Sequence, residues 1–269
     1  MTSLEKLLHT MEKLRDKEQG CPWDLKQTMD SLVPSTIEEA YEVADAIARK
    51  DWDDTRLELG DLLLQVVFYS QIAKEEQRFA FDDVAKAIND KLIRRHPHVF
   101  GNEHFDTVEE QLVSWEAIKK EERDDKGYQS ILDDVPAVLP GLLRAEKLQK
   151  RCKNEGFDWD NIQDVEAKVA EELQEVSDEL HASSAAFSQE KVEEEMGDLL
   201  FAVVNLARHA KVKPEMALDK ANRKFERRFR GVEQALVFQG KSLHEASLEE
   251  MDALWDQIKE QEKKHANLA

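Results

Sequence analysis

VEAKVAEELQEVSDEL (Val165–Leu180) and KVEEEMGDLLFAVVNLARHA (Lys191–Ala210) decide the fold of this chain. Each reads as a helix with acids set beside an apolar face. Glu171, Glu172 and Glu175 accompany Val165, Val169, Leu173 and Val176; Glu195 and Asp198 precede Leu199, Leu200, Val203, Val204 and Leu206. Side chains three or four apart share a helix face. Glu172 therefore points with Glu175, and Glu195 with Asp198. Antiparallel packing of the two helices brings four carboxylates onto one patch. Two such charges ~5 Å apart repel by roughly 3 kcal/mol at an effective dielectric of about 20. A hard divalent cation with oxygen ligands, magnesium above all, relieves that repulsion.

The same pattern occurs twice. EEAYE (Glu38–Glu42) answers EELQE (Glu171–Glu175) at an offset of 133 residues, and ELGDLLLQVV (Glu58–Val67) answers EMGDLLFAVV (Glu195–Val204) at 137. NDKLIRR (Asn89–Arg95) answers NRKFERR (Asn222–Arg228), and the segments around Trp115 and Trp255 also correspond. Such self-similarity marks a duplicated helical unit. It predicts a first domain over 1–125, a linker over 126–136 and a second domain over 137–269. Gly60 and Gly197 stand inside the second acid-bearing helix of each copy, where glycine costs roughly 1 kcal/mol against alanine; a close backbone approach would account for them.

The predicted helices in the first copy run from Ser3, as N-cap, to Glu18; from Thr36, with Glu39 completing a capping box, to Lys50; from Arg56 to Glu76, with Leu57, Leu64, Val67, Phe68 and Ile72 inward; then Phe81–Arg95 and Val108–Arg123. Gln19–Ser35, with CPWD and Pro34, reads as a loop. In the second copy helices are expected over Leu139–Cys152, Val165–His181, Glu190–Lys211, Pro214–Phe238 and Leu248–Lys264. No alternating strand pattern occurs, so the fold class is all-α.

Only 9 glycines and 6 prolines occur among 269 residues, and 36% of the chain is charged. That composition favours long helices. The net charge of −20 opposes nucleic acid and anionic membranes as partners. Cys21 and Cys152 form no metal-type pair and fit a reducing compartment. With no apolar signal core and no run of 18 apolar residues, a cytoplasmic protein is expected.

Against this acidity, Lys224, Arg227 and Arg228 cluster within two helical turns, with Phe225 and Glu226 between them. A cationic cluster opposite a carboxylate–magnesium centre is what phosphate chemistry uses. No glycine-rich phosphate loop is present. Trp255 reads either as core or as a flat surface for a nucleobase. His96, His98, His181 and His209 lack metal spacing, and no serine or cysteine has a visible base partner.

The layout ExxE, a gap of about sixteen to twenty residues, then ExxD, together with CPWD (Cys21–Asp24) and RRHPHVFG (Arg94–Gly101), resembles the MazG family of all-α nucleoside triphosphate pyrophosphohydrolases, relatives of dimeric dUTPases. The resemblance covers nearly the whole chain as two tandem MazG-like helical bundles. It implies a bundle that dimerises, building part of its core across the interface. It also implies magnesium-dependent hydrolysis of NTPs or dNTPs, ATP among them, to the monophosphate and pyrophosphate. The implied metal ligands are Glu172, Glu175, Glu195 and Asp198, with Glu39, Glu42, Glu58 and Asp61 in the first copy. Glu171 is the candidate to orient or deprotonate water. Lys168, Glu171, Glu172, Lys191, the Lys224–Arg228 segment and Trp255 are the candidate substrate contacts.

Lys168 corresponds to Ser35 and Lys191 to Asp54, so the first copy lacks two cations. The second copy is therefore expected to be the main catalyst. No base-reading code stands out, so broad base specificity is expected. The competing readings are a nucleotide sensor with little turnover and a helical scaffold without metal dependence.

Overall fold

The computed structural model describes residues 1–125, 127–183 and 187–266. All regular structure among them is helical. The chain divides into two compact units, Met1–Glu122 and Arg123–Ala269. No described helix is long and apolar enough to cross a membrane.

The first unit is built on α1 (Ser3–Leu14), α2 (Pro22–Lys26), α3 (Met29–Arg49), α4 (Trp52–Glu75), α5 (Phe81–Arg95), α6 (Pro97–Phe100) and α7 (Val108–Asp124). Thr2, not Ser3, caps α1, with Glu5 completing a capping box. CPWD lies at the start of α2 and not in an open loop. The largest departure from the sequence reading is α3, which starts at Met29 and not at Thr36. The hydroxyl of Thr28 accepts the Ser31 N–H at 3.2 Å, and the hydroxyl of Ser31 accepts the Thr28 N–H at 2.9 Å. That reciprocal cap starts the helix early. Pro34 then falls in the second turn, where the carbonyl it leaves without a helical donor belongs to exposed Asp30. Thr36 is interior; its hydroxyl donates to the Leu32 carbonyl at 3.0 Å and lies 2.8 Å from the Tyr69 hydroxyl. Lys50, in the left-handed region at φ 57°, turns the chain directly from α3 into α4. So short a connection makes α3 and α4 neighbours along their length.

The second unit repeats the plan with α8 (Gly141–Asn154), α9 (Ile162–Leu180), α10 (Gln189–His209), α11 (Pro214–Phe238) and α12 (Leu248–Ala266). α9 packs on α10 as α3 packs on α4, and α11 packs on α12.

The core of the first unit gathers Met11, Leu32, Val67, Phe68 and Ile72. In the second, Val165, Val176 and Val204 are buried along α9 and α10, while Val232, Leu236 and Leu254 join α11 to α12. Several residues read as inward are not. Leu57 is 55% exposed and Leu173 58% exposed, and Leu200 and Val203 are also open to solvent. The periodicity is sound, but the face it defines is wider than the chain's own helices cover. Gly60 and Gly197 lie on these open helices, and a Cβ at either would meet nothing within 4 Å. The close approach expected at these glycines is therefore absent among the described residues.

Candidate functional site

In each unit the paired helices bring three acids together. Carboxylate oxygens of Glu172, Glu175 and Glu195 lie within 4.8 Å of one another, as do those of Glu39, Glu42 and Glu58. Helical spacing aligns the first two of each set, and the neighbouring helix delivers the third. The fourth predicted acid, Asp198 or Asp61, is outside the set of three but adds to its field. Burial and then the charges of Glu194, Asp198 and Glu172 push the Glu195 carboxyl above its ordinary pKa. Burial and then contact with Glu172 do the same to Glu175. In the first unit Glu39 is raised by burial, Glu42 and Asp61, and Glu58 by burial, Glu42 and Asp54.

The two clusters differ in their cations. Lys168 Nζ lies 2.7 Å from Glu172 and 2.8 Å from Glu171, an arrangement that raises the lysine's pKa. Ser35 holds this position in the first unit. Lys191 reaches Glu179 at 3.3 Å, whereas its counterpart Asp54 pairs with Arg49. Glu171 is exposed and held by Lys168, outside the convergent three.

The donor set is all hard carboxylate oxygen, close enough for one cation to bridge and electrostatically uncomfortable without positive charge. The residues present fit a magnesium-type ion.

The basic helix forms a separate cluster. Arg227 and Arg228 both pair with Glu262, at 2.7 and 2.8 Å. Trp255 is half-buried; its ring is 5.3 Å from that of Phe225 and lies under the Arg228 guanidinium at 5.7 Å. Glu226 pairs with Arg230 at 3.4 Å, and Lys224 is exposed. Trp255 also packs against the Val232–Leu236–Leu254 core, so the core role, one of its two sequence readings, is present in the fold.

A cavity of about 290 Å³ adjoins the second unit's acids, with Glu172, Asp198 and Lys168 in its lining. Gln149, Asn205 and Arg208 also line it, and the sequence reading singled out none of them. One signal was available: aligning the repeats at 137 sets Asn205 opposite Phe68, a polar residue on the buried side of a helix.

The comparisons agree with this architecture. The model of the MazG nucleotide pyrophosphohydrolase domain matches residues 27–100 and again 161–232. A nucleoside triphosphate pyrophosphohydrolase of Escherichia coli K12 is 55% identical over 97% of this chain and 99% of its own. A nucleoside triphosphate pyrophosphohydrolase/pyrophosphatase MazG of Thermotoga maritima is 44% identical over 95% of each. Two helix pairs, each closing three acids into one cluster, coincide with the two matched segments, and the chain belongs to the MazG nucleotide pyrophosphohydrolase family.

Proposed function

We propose that this protein is a magnesium-dependent nucleoside triphosphate pyrophosphohydrolase of broad base specificity. It would cut NTPs and dNTPs at the α–β linkage, chiefly in the C-terminal unit. The observation that carries the reading is the convergence of Glu172, Glu175 and Glu195 within 4.8 Å beside Lys168. The activity named for both relatives that align with nearly the whole chain supports it.

Glu172, Glu175 and Glu195, with Asp198 beside them, would hold magnesium, which when bound offsets the triphosphate's charge and polarises its phosphoryl oxygens. Lys168 and Lys191 would add positive charge at the same place. Glu171, oriented by Lys168, would accept a proton from water as that water bonds to the α-phosphorus. The bond from the α-phosphorus to the bridging oxygen breaks, and pyrophosphate leaves with that oxygen. Lys224, Arg227 and Arg228, with Phe225, Glu226 and Trp255 around them, would contact the rest of the nucleotide.

A homodimer completes the proposal. Two compact domains sharing this mass would expose roughly 14,500 Å², whereas the chain exposes 19451 Å². Obligate interfaces bury about 2,000–5,000 Å² summed over both partners, so an excess of ~5,000 Å² on each chain is more than one such interface covers. Met196, Leu200, Phe201 and Val203 on α10 are part of it, and Gly197 leaves room there for a second helix.

Hydrolysis of an NTP with magnesium in ¹⁸O-labelled water, followed by ³¹P NMR, tests the activity. The expected products are labelled monophosphate and unlabelled pyrophosphate. Release of orthophosphate would overturn the reading, and binding without turnover would favour the nucleotide sensor.

A further inference from the structure

Glu179 and Lys191 are set against their own helices. Glu179 lies in the last turn of α9 and Lys191 in the first turn of α10. A helix favours cations at its C-terminal end and anions at its N-terminal end, so each charge stands at the wrong end of its own helix. The pair nonetheless forms across the two, with Lys191 Nζ 3.3 Å from Glu179. Helix stability does not account for that placement.

The pair is in register with the acid centre. Glu179 follows Glu175 by four residues, and Lys191 precedes Glu195 by four. Each therefore shares a helix face with one of the converging acids. The helix pair carries two rungs, Glu175–Glu195 and Glu179–Lys191, one helical turn or about 5.4 Å apart. Glu179 is near enough to be among the charges that raise the Glu195 carboxyl.

The second rung exists only in the C-terminal unit. Glu179 corresponds to Ala46, which is buried, and Lys191 to Asp54. The cation nearest Asp54 is Arg49, and it is also engaged by Asp45 at 2.7 Å and Asp51 at 3.5 Å. The Lys191 side chain is 58% exposed and that of Glu179 only 23%. An ammonium has three donors, so Lys191 can keep Glu179 and still donate to a phosphate.

We propose that Glu179 is a positioning residue of the C-terminal site: it holds the Lys191 ammonium one turn beyond the acid centre, where that group receives the terminal phosphate of a nucleoside triphosphate. The proposal rests on the pyrophosphohydrolase reading and adds to it a means of sensing phosphate-chain length. A nucleoside diphosphate held at the acid centre ends before it reaches the second rung. A lysine ordered in advance spares the ligand that ordering, worth about 2- to 10-fold in affinity.

Calorimetry on the full chain with magnesium tests this, using α,β-methylene-ATP and α,β-methylene-ADP as probes. Wild-type protein should bind the triphosphate more tightly. Glu179→Ala should weaken the triphosphate about 2- to 10-fold and leave the diphosphate unchanged. In a Lys191→Met background, with no ammonium to hold, Glu179→Ala should no longer weaken the triphosphate. A purely structural residue would weaken both probes alike in both backgrounds. A bystander acid would tighten both probes on removal, because its repulsion ends. Either result, or no change at all, would overturn the positioning role and leave the hydrolase reading intact. Wild-type protein that binds neither probe would overturn both.

Discussion

Lys168 reaches Glu172 across 2.7 Å, placing an ammonium group beside one of the three converging acids. Ser35 at the corresponding place leaves the N-terminal cluster without that charge. Losing a charge-assisted contact costs about 1.5–3 kcal/mol, or roughly 10- to 100-fold in rate or affinity. Lys168→Ser should lower kcat/KM for an NTP by that factor, as measured by steady-state pyrophosphate release. An unchanged kcat/KM would remove the lysine from the site.

Glu175 and Glu195 have pKa values raised first by burial and then by neighbouring acids. A carboxyl whose folded pKa stands above its unfolded one destabilises the fold at higher pH, and that cost disappears as pH falls through the folded pKa. Metal-free protein should therefore gain from this cluster on mild acidification. Glu175→Gln should raise the metal-free Tm at pH 7.5 and lose the further rise that magnesium gives the wild type. Thermal melts with chelator and with excess magnesium measure both; an intact magnesium response would exclude Glu175 as a ligand.

Asp158 behaves in the opposite sense. Burial alone would raise its pKa, but hydrogen bonds from Arg208 and His209 outweigh burial and hold it at about 2. Its stabilisation is complete above the ordinary value of 3.8 and is lost as pH falls towards about 2. Asp158→Asn should cost about 2–3 kcal/mol at neutral pH by leaving Arg208 poorly paired. It should also flatten the acid limb in urea unfolding followed against pH.

The helical class, the repeat and the acid clusters were legible because spacing alone carries them. Phe81–Arg95 and Pro214–Phe238 are helices with the predicted bounds. Other features depend on what a residue meets in space. Pro34 belongs to a stretch that reads as a loop, and only the reciprocal Thr28–Ser31 cap upstream of it starts the helix earlier. Leu57, Leu173 and Leu200 were assigned inward since periodicity marks a face without saying which chain covers it. Arg227 and Arg228 read as part of a cationic cluster facing an anion site, whereas Glu262, more than 30 residues away, pairs with both. The cavity is a volume, visible only once Val165 and Asn205 stand where the other repeat has Leu32 and Phe68.

The uncovered face predicts an assembly. Sedimentation should find wild-type protein as a dimer, and Leu200→Glu should shift it towards monomer with loss of pyrophosphate release. A fully active monomer would refute the proposed interface.

The most direct test compares pyrophosphate release by Glu172→Ala and Glu39→Ala, with NTP and magnesium. The two residues hold equivalent places in clusters of the same three acids, but only Glu172 has Lys168 beside it and lines the cavity. Glu172→Ala should lose all but a trace of turnover, and Glu39→Ala should keep most of it. Equal loss in the two variants, or undiminished release by Glu172→Ala, would contradict the account.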